Sequence, residues 1–205
     1  MNSQLADRSV DTVVATVQLV DPEANRAARK YSRAEQCRRI LWTLGAYAIR
    51  LSPRPCFAWR CSVLRLFGAK VGRSVQFYSS TRFYMPWNVE IGDWAAIGED
   101  AFIYSLGKVR IGAGAALAYR THVCAGTHDF SDPALPLLKP PVTIEDDVWI
   151  GTEAFIGPGT TVSKGAIVAA RAVVVKDVPP LHIVAGNPAR QIGLRRAPCS
   201  PVSPS

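Results

Sequence analysis

Residues suited to metal binding or to covalent catalysis are few in this sequence. Its 205 residues include five cysteines and three histidines. The cysteines are odd in number and lack the spacing of metal ligands, and a disulfide framework is not expected in a chain of this length. Walker-type phosphate loops and the GxSxG motif of serine hydrolases are absent as well. We therefore expect a reduced, cytoplasmic protein that requires no metal.

Long hydrophobic runs are also missing. The longest spans Ile40–Ile49 and ends at Arg50, whereas a helix that crosses a bilayer needs about 20 apolar residues. Residues 1–20 contain two acids and lack the compact apolar region of a secretory signal. Residues 1–30 are polar and show no sustained period, and the tail from Ala197 holds three prolines and three serines, so we expect residues 1–30 and 193–205 to be disordered.

Acidic residues are nearly absent from one part of the chain. Between Arg26 and Lys70, eleven basic residues accompany a single acid, Glu35. This segment carries +10, and the remainder of the chain −2, of the formal charge of +8. Because the remainder has no basic stripe, the overall basicity does not indicate a nucleic-acid partner.

A strict interval of six residues organises the C-terminal half. Neither the 3.6-residue period of a helix nor the two-residue period of a strand explains it, whereas a hexapeptide repeat is typical of a parallel β-helix. We expect each six residues to form one side of a coil, with an aliphatic side chain pointing inward. The aliphatic residues at every sixth position are Ile144, Ile150, Ile156, Val162, Val168 and Val174.

The interval of six extends upstream to Val71. Two-residue shifts restart it at Val89–Ile91 and at Val109–Ile111, and we expect these shifts at corners between coils. With three sixes in a coil, residues 70–192 provide about five coils. A loop at residues 125–141 interrupts them, and insertions in such repeats often carry the function.

Two helices are predicted before the repeat. Residues 31–69 are expected to form a basic helical cap over the apolar core that the first coil would otherwise expose. The second helix is predicted at Phe57–Phe67. The first starts near Ser32, with an apolar stripe at Cys37, Leu41, Leu44 and Ala48.

The same helices permit contact with a membrane surface. Basic residues beside tryptophans are typical of segments that lie on anionic lipid. Peripheral contact of residues 33–67 with the inner face of a membrane is compatible with a cap, and both interpretations stay open. The residues that favour lipid contact are Arg38, Arg39, Arg50, Arg54 and Arg60, with Trp42 and Trp59.

His128 is the main candidate for chemistry, because it stands near the start of the inserted loop. Imidazole titrates close to neutral pH, so a histidine held by a rigid scaffold is suited to act as a general base. A purely structural role and a nucleophilic pair with Cys124 are the alternatives. Asp129 or Asp132 could orient His128, contact a substrate or only solvate the loop. His122 is expected to be structural.

Several motifs carry a resemblance to a known family: Arg65–Gly72, Met85–Asn88, Ile103–Gly107, Cys124–Asp129, Pro141–Ile144, Val148–Gly151, Lys176–Pro180 and Gly186–Arg190. From about Leu64 to Ile192 the sequence resembles the left-handed β-helix acyltransferases of the maltose, galactoside and nodulation O-acetyltransferase group. Within that group it is most similar to the colanic-acid (exopolysaccharide) acetyltransferases. The resemblance implies a homotrimer with active sites between subunits. It also implies that acetyl-CoA donates an acetyl group to a sugar hydroxyl, with His128 as the base.

The resemblance further implies where coenzyme A binds. Thr152, Ala170, Val175, Lys176 and Arg190 match coenzyme-binding positions of the family. Val175 stands where threonine is common in the family, so only its backbone would bind the coenzyme.

Ser105 and Asp129 are the candidates for contact with the acceptor, a sugar or a lipid-linked saccharide. We therefore expect a cytoplasmic sugar O-acetyltransferase. Two alternatives stay open, namely transfer to another acceptor (an amino sugar, serine or an antibiotic) and a non-catalytic β-helix scaffold. Whether Arg195 or Arg196 replaces a second coenzyme-binding arginine of the family also stays open.

Overall fold

The computed structural model describes residues 20–28 and 30–196, which form two compact units. The larger unit contains Arg33–Thr127 and residues 139–196, and the smaller contains His128–Leu138 with the described residues before Arg33. Three α-helices precede the strands: α1 (Pro22–Ala27) in the smaller unit, and α2 (Arg33–Arg50) and α3 (Phe57–Leu66) in the larger.

Three parallel sheets of very short strands form the body of the larger unit. The first side consists of β1 (Lys70–Val71), β4 (Val89–Ile91), β7 (Val109–Ile111), β12 (Val142–Ile144) and β15 (Thr161–Val162). The second consists of β2 (Gln76–Phe77), β5 (Ala96–Ile97), β8 (Ala116–Leu117), β13 (Trp149–Ile150), β16 (Ile167–Val168) and β18 (His182–Ala185), with β19 (Arg190–Leu194) added antiparallel. The third consists of β3 (Arg82–Phe83), β6 (Phe102–Tyr104), β9 (His122–Cys124), β14 (Phe155–Ile156) and β17 (Val173–Val174).

Each strand pairs with the strand one coil away, so the chain winds as a parallel β-helix. Five coils contribute one strand to every side. A sixth begins with a parallel bridge from Val162 to Val178 and continues into β18. The predicted parallel β-helix of about five coils is confirmed.

The inward side chains stack in register and form one continuous core. On the first side, Ile91, Ile111, Ile144 and Val162 are paired from coil to coil and are all buried. Full burial of such a side chain contributes about 1.5–3 kcal/mol. The repeat therefore supplies both the pairing register and most of the stabilisation of the coil.

The two-residue shifts of the repeat lie within strands, so the expectation that they fall at corners is wrong. Val89 and Ile91 belong to the same strand, β4, and both are buried. Val109 and Ile111 are arranged in the same way in β7. Residues two apart in a strand share a face, so each shift adds one inward residue to the first side.

α2 buries a different face from the predicted apolar stripe. Trp42 and Ile49 are 6% and 2% exposed, whereas Leu41 and Leu44 of that stripe are 55% and 67% exposed. α2 is apolar on both faces, so helical periodicity alone could not identify the inner one. Trp42 fixes the helix on the coil, because its indole Nε1 donates to the carbonyl oxygen of Phe83 at 2.8 Å.

Arg60 of α3 is fully buried and joins the helix to the first coil. Its guanidinium donates to the carbonyl oxygens of Phe77 (2.8 Å), Pro53 (2.9 Å) and Arg54 (2.8 Å). Arg60 is therefore unavailable to lipid, and the same is true of the buried Trp42. The prediction that Arg60 and Trp42 face lipid is therefore wrong.

Regular structure also occurs in both segments that were expected to be disordered. Within residues 1–30, Pro22–Ala27 forms α1, and Asp21 caps it by accepting a hydrogen bond from Ala24 N. In the C-terminal segment, β19 continues to Leu194. Residues 1–19 and 197–205 of these predictions lie outside the described residues. None of the described helices has the length and hydropathy that a bilayer crossing demands.

Candidate active site

The inserted loop carries His128 on a small hairpin. β10 (Thr127–His128) pairs with β11 (Leu137–Leu138), and Asp129 N donates to the carbonyl oxygen of Pro136 at 2.9 Å. The His128 side chain is exposed. The loop thus has a structure of its own that presents the histidine to solvent.

One contact defines the tautomer of His128. Its Nδ1 lies 2.7 Å from the carbonyl oxygen of Leu135. A carbonyl oxygen only accepts hydrogen bonds, so Nδ1 carries the proton. In neutral imidazole the other nitrogen, Nε2, then keeps its lone pair, which is the form that a general base requires.

The Leu135 carbonyl is aimed by a tight turn. Leu135 has a φ of 47°, in the left-handed region that branched residues rarely adopt. Leu135 N donates to the carbonyl oxygen of Asp132, and Ala134 N donates to the Asp132 carboxylate, both at 2.8 Å. Asp132 therefore shapes the turn that holds the acceptor of His128.

α1 packs on this turn, a contact that the sequence analysis missed. Asn25 Nδ2 donates to the carbonyl oxygens of Ala134 (2.7 Å) and Leu135 (3.1 Å). Asp21 N donates to the carbonyl oxygen of Pro133 at 2.6 Å. The sequence did contain a signal for the start of α1, namely the Asp21-Pro22 pair, because Asp is favoured as N-cap and Pro at the first helical position.

Asp129 structures the loop. Its carboxylate accepts hydrogen bonds from the hydroxyl and the backbone N of Ser131, and these two bonds lower the pKa of Asp129. The group that orients His128 is the Leu135 carbonyl, so neither Asp129 nor Asp132 plays that part. Contact of Asp129 with an acceptor stays a prediction.

Ser105, the second predicted acceptor contact, is corrected. Its side chain is completely buried. The hydroxyl donates to the carbonyl oxygen of Met85 and accepts from Met85 N, both at 2.9 Å. Both functions of the hydroxyl are used to join neighbouring coils, so Ser105 does not face a substrate.

Cys124 and His122 both belong to β9 of the coil. Burial raises the pKa of the Cys124 thiol, which donates to the carbonyl oxygen of Gly126 at 3.3 Å. A protonated, half-buried thiol is a poor nucleophile. The His122 ring packs between Phe102 and Phe155, at centroid distances of 5.1 and 5.2 Å, and burial lowers its pKa.

Two of the predicted coenzyme residues occupy the same corner of successive coils. Thr152 follows β13, Ala170 follows β16, and both are exposed. Arg171 N donates to the carbonyl oxygen of Thr152 at 2.8 Å. A Cβ on Gly151 would lie 2.6 Å from Ala170 N, so glycine is required for this close approach of the two coils.

The other three predicted coenzyme residues lie at the end of the β-helix. Val175 and Lys176 follow β17, and Arg190 begins β19 opposite Ala185. Hydrogen bonds of Val173 with the segment between β18 and β19 tie β17 to this hairpin. All three residues are exposed. The larger unit thus holds all five predicted coenzyme residues, and the smaller unit holds His128.

Arg195 is engaged within the larger unit. Its Nη1 donates to the carbonyl oxygens of Asp147 (2.8 Å) and Gly165 (3.2 Å), whereas Arg196 is exposed.

Over residues 20–28 and 30–196, no three His, Cys, Asp or Glu side chains are grouped so that they could hold a metal ion.

Comparison with known proteins identifies the family. No family model matches the sequence. A protein of Escherichia coli named as a colanic acid biosynthesis acetyltransferase, WcaF, is 34% identical over 151 residues, which cover 74% of this chain and 83% of that protein. A hexapeptide-repeat acetyltransferase from Vibrio cholerae is 27% identical, with a TM-score of 0.73 over 81% of this chain and 95% of that chain.

A third protein has a similar fold. A galactoside acetyltransferase, solved in complex with coenzyme A, has a TM-score of 0.74 over 80% of this chain and 84% of that chain, at 24% identity. The coil described above matches the left-handed β-helix of these acetyltransferases. With its repeat, its fold and its extended identity to WcaF, the chain belongs to the hexapeptide-repeat acetyltransferase family.

Proposed function

We propose that this protein transfers the acetyl group of acetyl-CoA to a hydroxyl of a saccharide in exopolysaccharide biosynthesis, with His128 as the general base. The observation that carries the proposal is the 2.7 Å contact of His128 Nδ1 with the Leu135 carbonyl oxygen, which places the proton of the neutral ring on Nδ1 and leaves the lone pair on Nε2. The name of WcaF supports the saccharide acceptor. The coenzyme A bound to the galactoside acetyltransferase supports the donor.

The reaction is a direct transfer. Nε2 of His128 accepts the proton of the acceptor hydroxyl while the hydroxyl oxygen bonds to the thioester carbon. The carbon–sulfur bond then breaks, and the imidazolium returns the proton to the leaving thiolate of coenzyme A. No covalent enzyme intermediate is formed. The Leu135 carbonyl stabilises the imidazolium, because Nδ1–H keeps its acceptor throughout.

Coenzyme A would lie along the exposed corner that begins at Thr152 and Ala170. Both residues are small enough to admit the pantetheine arm beside the coils. Lys176 and Arg190 provide the cationic groups for its phosphates, and an arginine fork suits a phosphate in particular. Val175 would contribute its backbone only.

We further propose a homotrimer, as the family resemblance suggests, that works on the cytoplasmic face of a membrane. Ile40, Leu44 and Tyr47 are exposed on one face of α2, and the exposed Leu51 continues their row. From Gln36 to Val89 the sequence has nine basic residues and no acid. An apolar row within a segment free of acids suits an anionic lipid surface. A groove of about 900 Å³ beside α2 is lined by apolar side chains together with Arg39, Arg50 and Arg82.

An acceptor screen tests the function. The protein is incubated with labelled acetyl-CoA and with free sugars, lipid-linked saccharides, amino sugars, serine and chloramphenicol. We expect label on a saccharide hydroxyl, recovered as an ester that mild base cleaves. Label found only as an amide would overturn O-acetylation, and transfer to none of the carbohydrates would overturn the saccharide acceptor.

A further inference from the structure

In the smaller unit, His128 shares its hydrogen-bond acceptor with a second side chain. The carbonyl oxygen of Leu135 accepts two hydrogen bonds, one from His128 Nδ1 at 2.7 Å and one from Asn25 Nδ2 at 3.1 Å. Asn25 belongs to α1, more than one hundred residues before the loop. The histidine and the asparagine thus meet at one backbone atom.

The orientation of the Asn25 amide follows from a neighbouring lysine. Lys30 Nζ lies 2.8 Å from Asn25 Oδ1. An ammonium group only donates hydrogen bonds, so the atom it contacts must be the amide oxygen. The amide nitrogen is therefore directed at Ala134 and Leu135, and both of its protons are used.

The Leu135 carbonyl needs such support. Its residue holds a left-handed backbone conformation with a branched side chain, which favours relaxation of the turn. Relaxation would move the oxygen away from His128. Nδ1 would then lose its acceptor, and the tautomer with the proton on Nε2, which cannot accept a proton from the substrate, would become populated.

We propose that Asn25 is a positioning residue, which fixes the Leu135 carbonyl and thereby keeps His128 in the tautomer with a free Nε2. Asn25, a residue outside the repeat, then supports the group that acts on the substrate. The inference rests on the proposed role of His128 as the base. It extends that role by naming the group that holds the base ready.

Two variants of the full-length protein test the proposal. Asn25→Ala removes both donors, and Asn25→Asp keeps the shape of the side chain but cannot donate. Glu23→Ala, at an exposed position of the same helix, is the matched control. The ¹⁵N spectrum of histidine-labelled protein reports the tautomer, and the resonance of His128 is identified by its loss in His128→Ala.

We expect a single Nδ1–H tautomer of His128 in the unaltered protein and in Glu23→Ala, and a mixture of tautomers in both Asn25 variants. We also expect kcat to fall about tenfold in both, below the hundredfold loss that a 1 Å misplacement can cause. KM for acetyl-CoA should stay within about twofold, because the predicted coenzyme residues belong to the larger unit. Unfolding of the whole protein, in contrast, would also change KM for acetyl-CoA and the circular dichroism spectrum.

The outcomes separate this inference from the proposed function. If His128→Ala is inactive but both Asn25 variants keep the tautomer and the kcat of the unaltered protein, Asn25 has no positioning role and only this inference is overturned. If His128→Ala is active, the role of His128 as base is overturned, and the catalytic role of Asn25 is overturned with it.

Discussion

His128 Nδ1 lies 2.7 Å from the carbonyl oxygen of Leu135, and no carboxylate takes the place of that oxygen. A backbone carbonyl cannot accept the proton that it orients, so it fixes the tautomer of the imidazole without competing for its charge. The tautomer of His128 is thereby set by a backbone turn. With His128 as the proposed base, we expect the activity to depend on the conformation of residues 132–135 as well as on the histidine.

Replacement of the proposed base, His128, should slow transfer severely. We expect His128→Ala to lower kcat by about 10²–10⁴-fold, the usual contribution of general-base catalysis. The dissociation constant for acetyl-CoA, measured by calorimetry, should not change, because the predicted coenzyme residues lie in the other unit. His182→Ala serves as the control. Retention of most activity in His128→Ala would remove His128 as the base.

Arg190 should act on the nucleotide end of the coenzyme. We expect Arg190→Ala to raise KM for acetyl-CoA about tenfold with little change in kcat, the effect of losing one charge-assisted hydrogen bond. With acetyl-pantetheine, which lacks the nucleotide, the variant and the unaltered protein should be alike. Arg110→Ala, at an exposed position of β7, provides a matched control. Equal losses with both donors would contradict the assignment.

The buried Arg60 should matter more for stability than an exposed arginine of the same helix. Arg60→Met leaves the carbonyl oxygens of Phe77, Pro53 and Arg54 without their donor. We expect the free energy of unfolding to fall by about 3 kcal/mol. Arg65→Met, which removes exposed bonds to Val71 and Gly72, should cost less than about 1 kcal/mol. Urea denaturation measures both, and similar losses would refute the distinction.

His122 should make stability depend on pH. Burial, and then the charge of Arg82, lower the pKa of His122 below the value of about 6.5 that histidine has in an unfolded chain. As pH falls from about 6.5 towards the folded pKa, the unfolded chain binds a proton that the folded chain does not, so the free energy of unfolding decreases. Above about pH 6.5, His122 is neutral in both states and does not change the free energy of unfolding.

His122→Phe should remove this part of the pH dependence, because phenylalanine keeps the packing against Phe102 and does not titrate. The measurement is urea denaturation of both proteins at about pH 7.5 and about pH 5.5. Equal destabilisation on acidification in the two proteins would show that His122 is not responsible.

The apolar row of α2 should bind anionic membranes. We expect the protein to sediment with vesicles of phosphatidylcholine and phosphatidylglycerol but not with phosphatidylcholine alone, and Ile40→Glu with Leu44→Glu should abolish the binding. Ile192→Glu, an exposed aliphatic position on β19, is the control. If the double variant instead keeps vesicle binding and changes the oligomeric mass in light scattering, the row contacts another copy of the chain.

The sequence predicted those parts of the molecule that repeat. Ile144 and Val162 carry the interval of six, and their burial and pairing followed directly from it. The role of Asn25 could not be predicted in this way, because it depends on hydrogen bonds to Ala134 and Leu135, which are distant in sequence. Ser105 was misassigned because a sequence does not reveal that Met85 lies one coil away.

The inserted loop leaves the coil undisturbed. Val109 pairs with Val89, twenty residues earlier, and equally with Val142, thirty-three residues later. β7 thus pairs with β12 without a gap in register, although the inserted loop separates the two strands in sequence. This branch can therefore be exchanged or lengthened without breaking the pairing of the stacked coils.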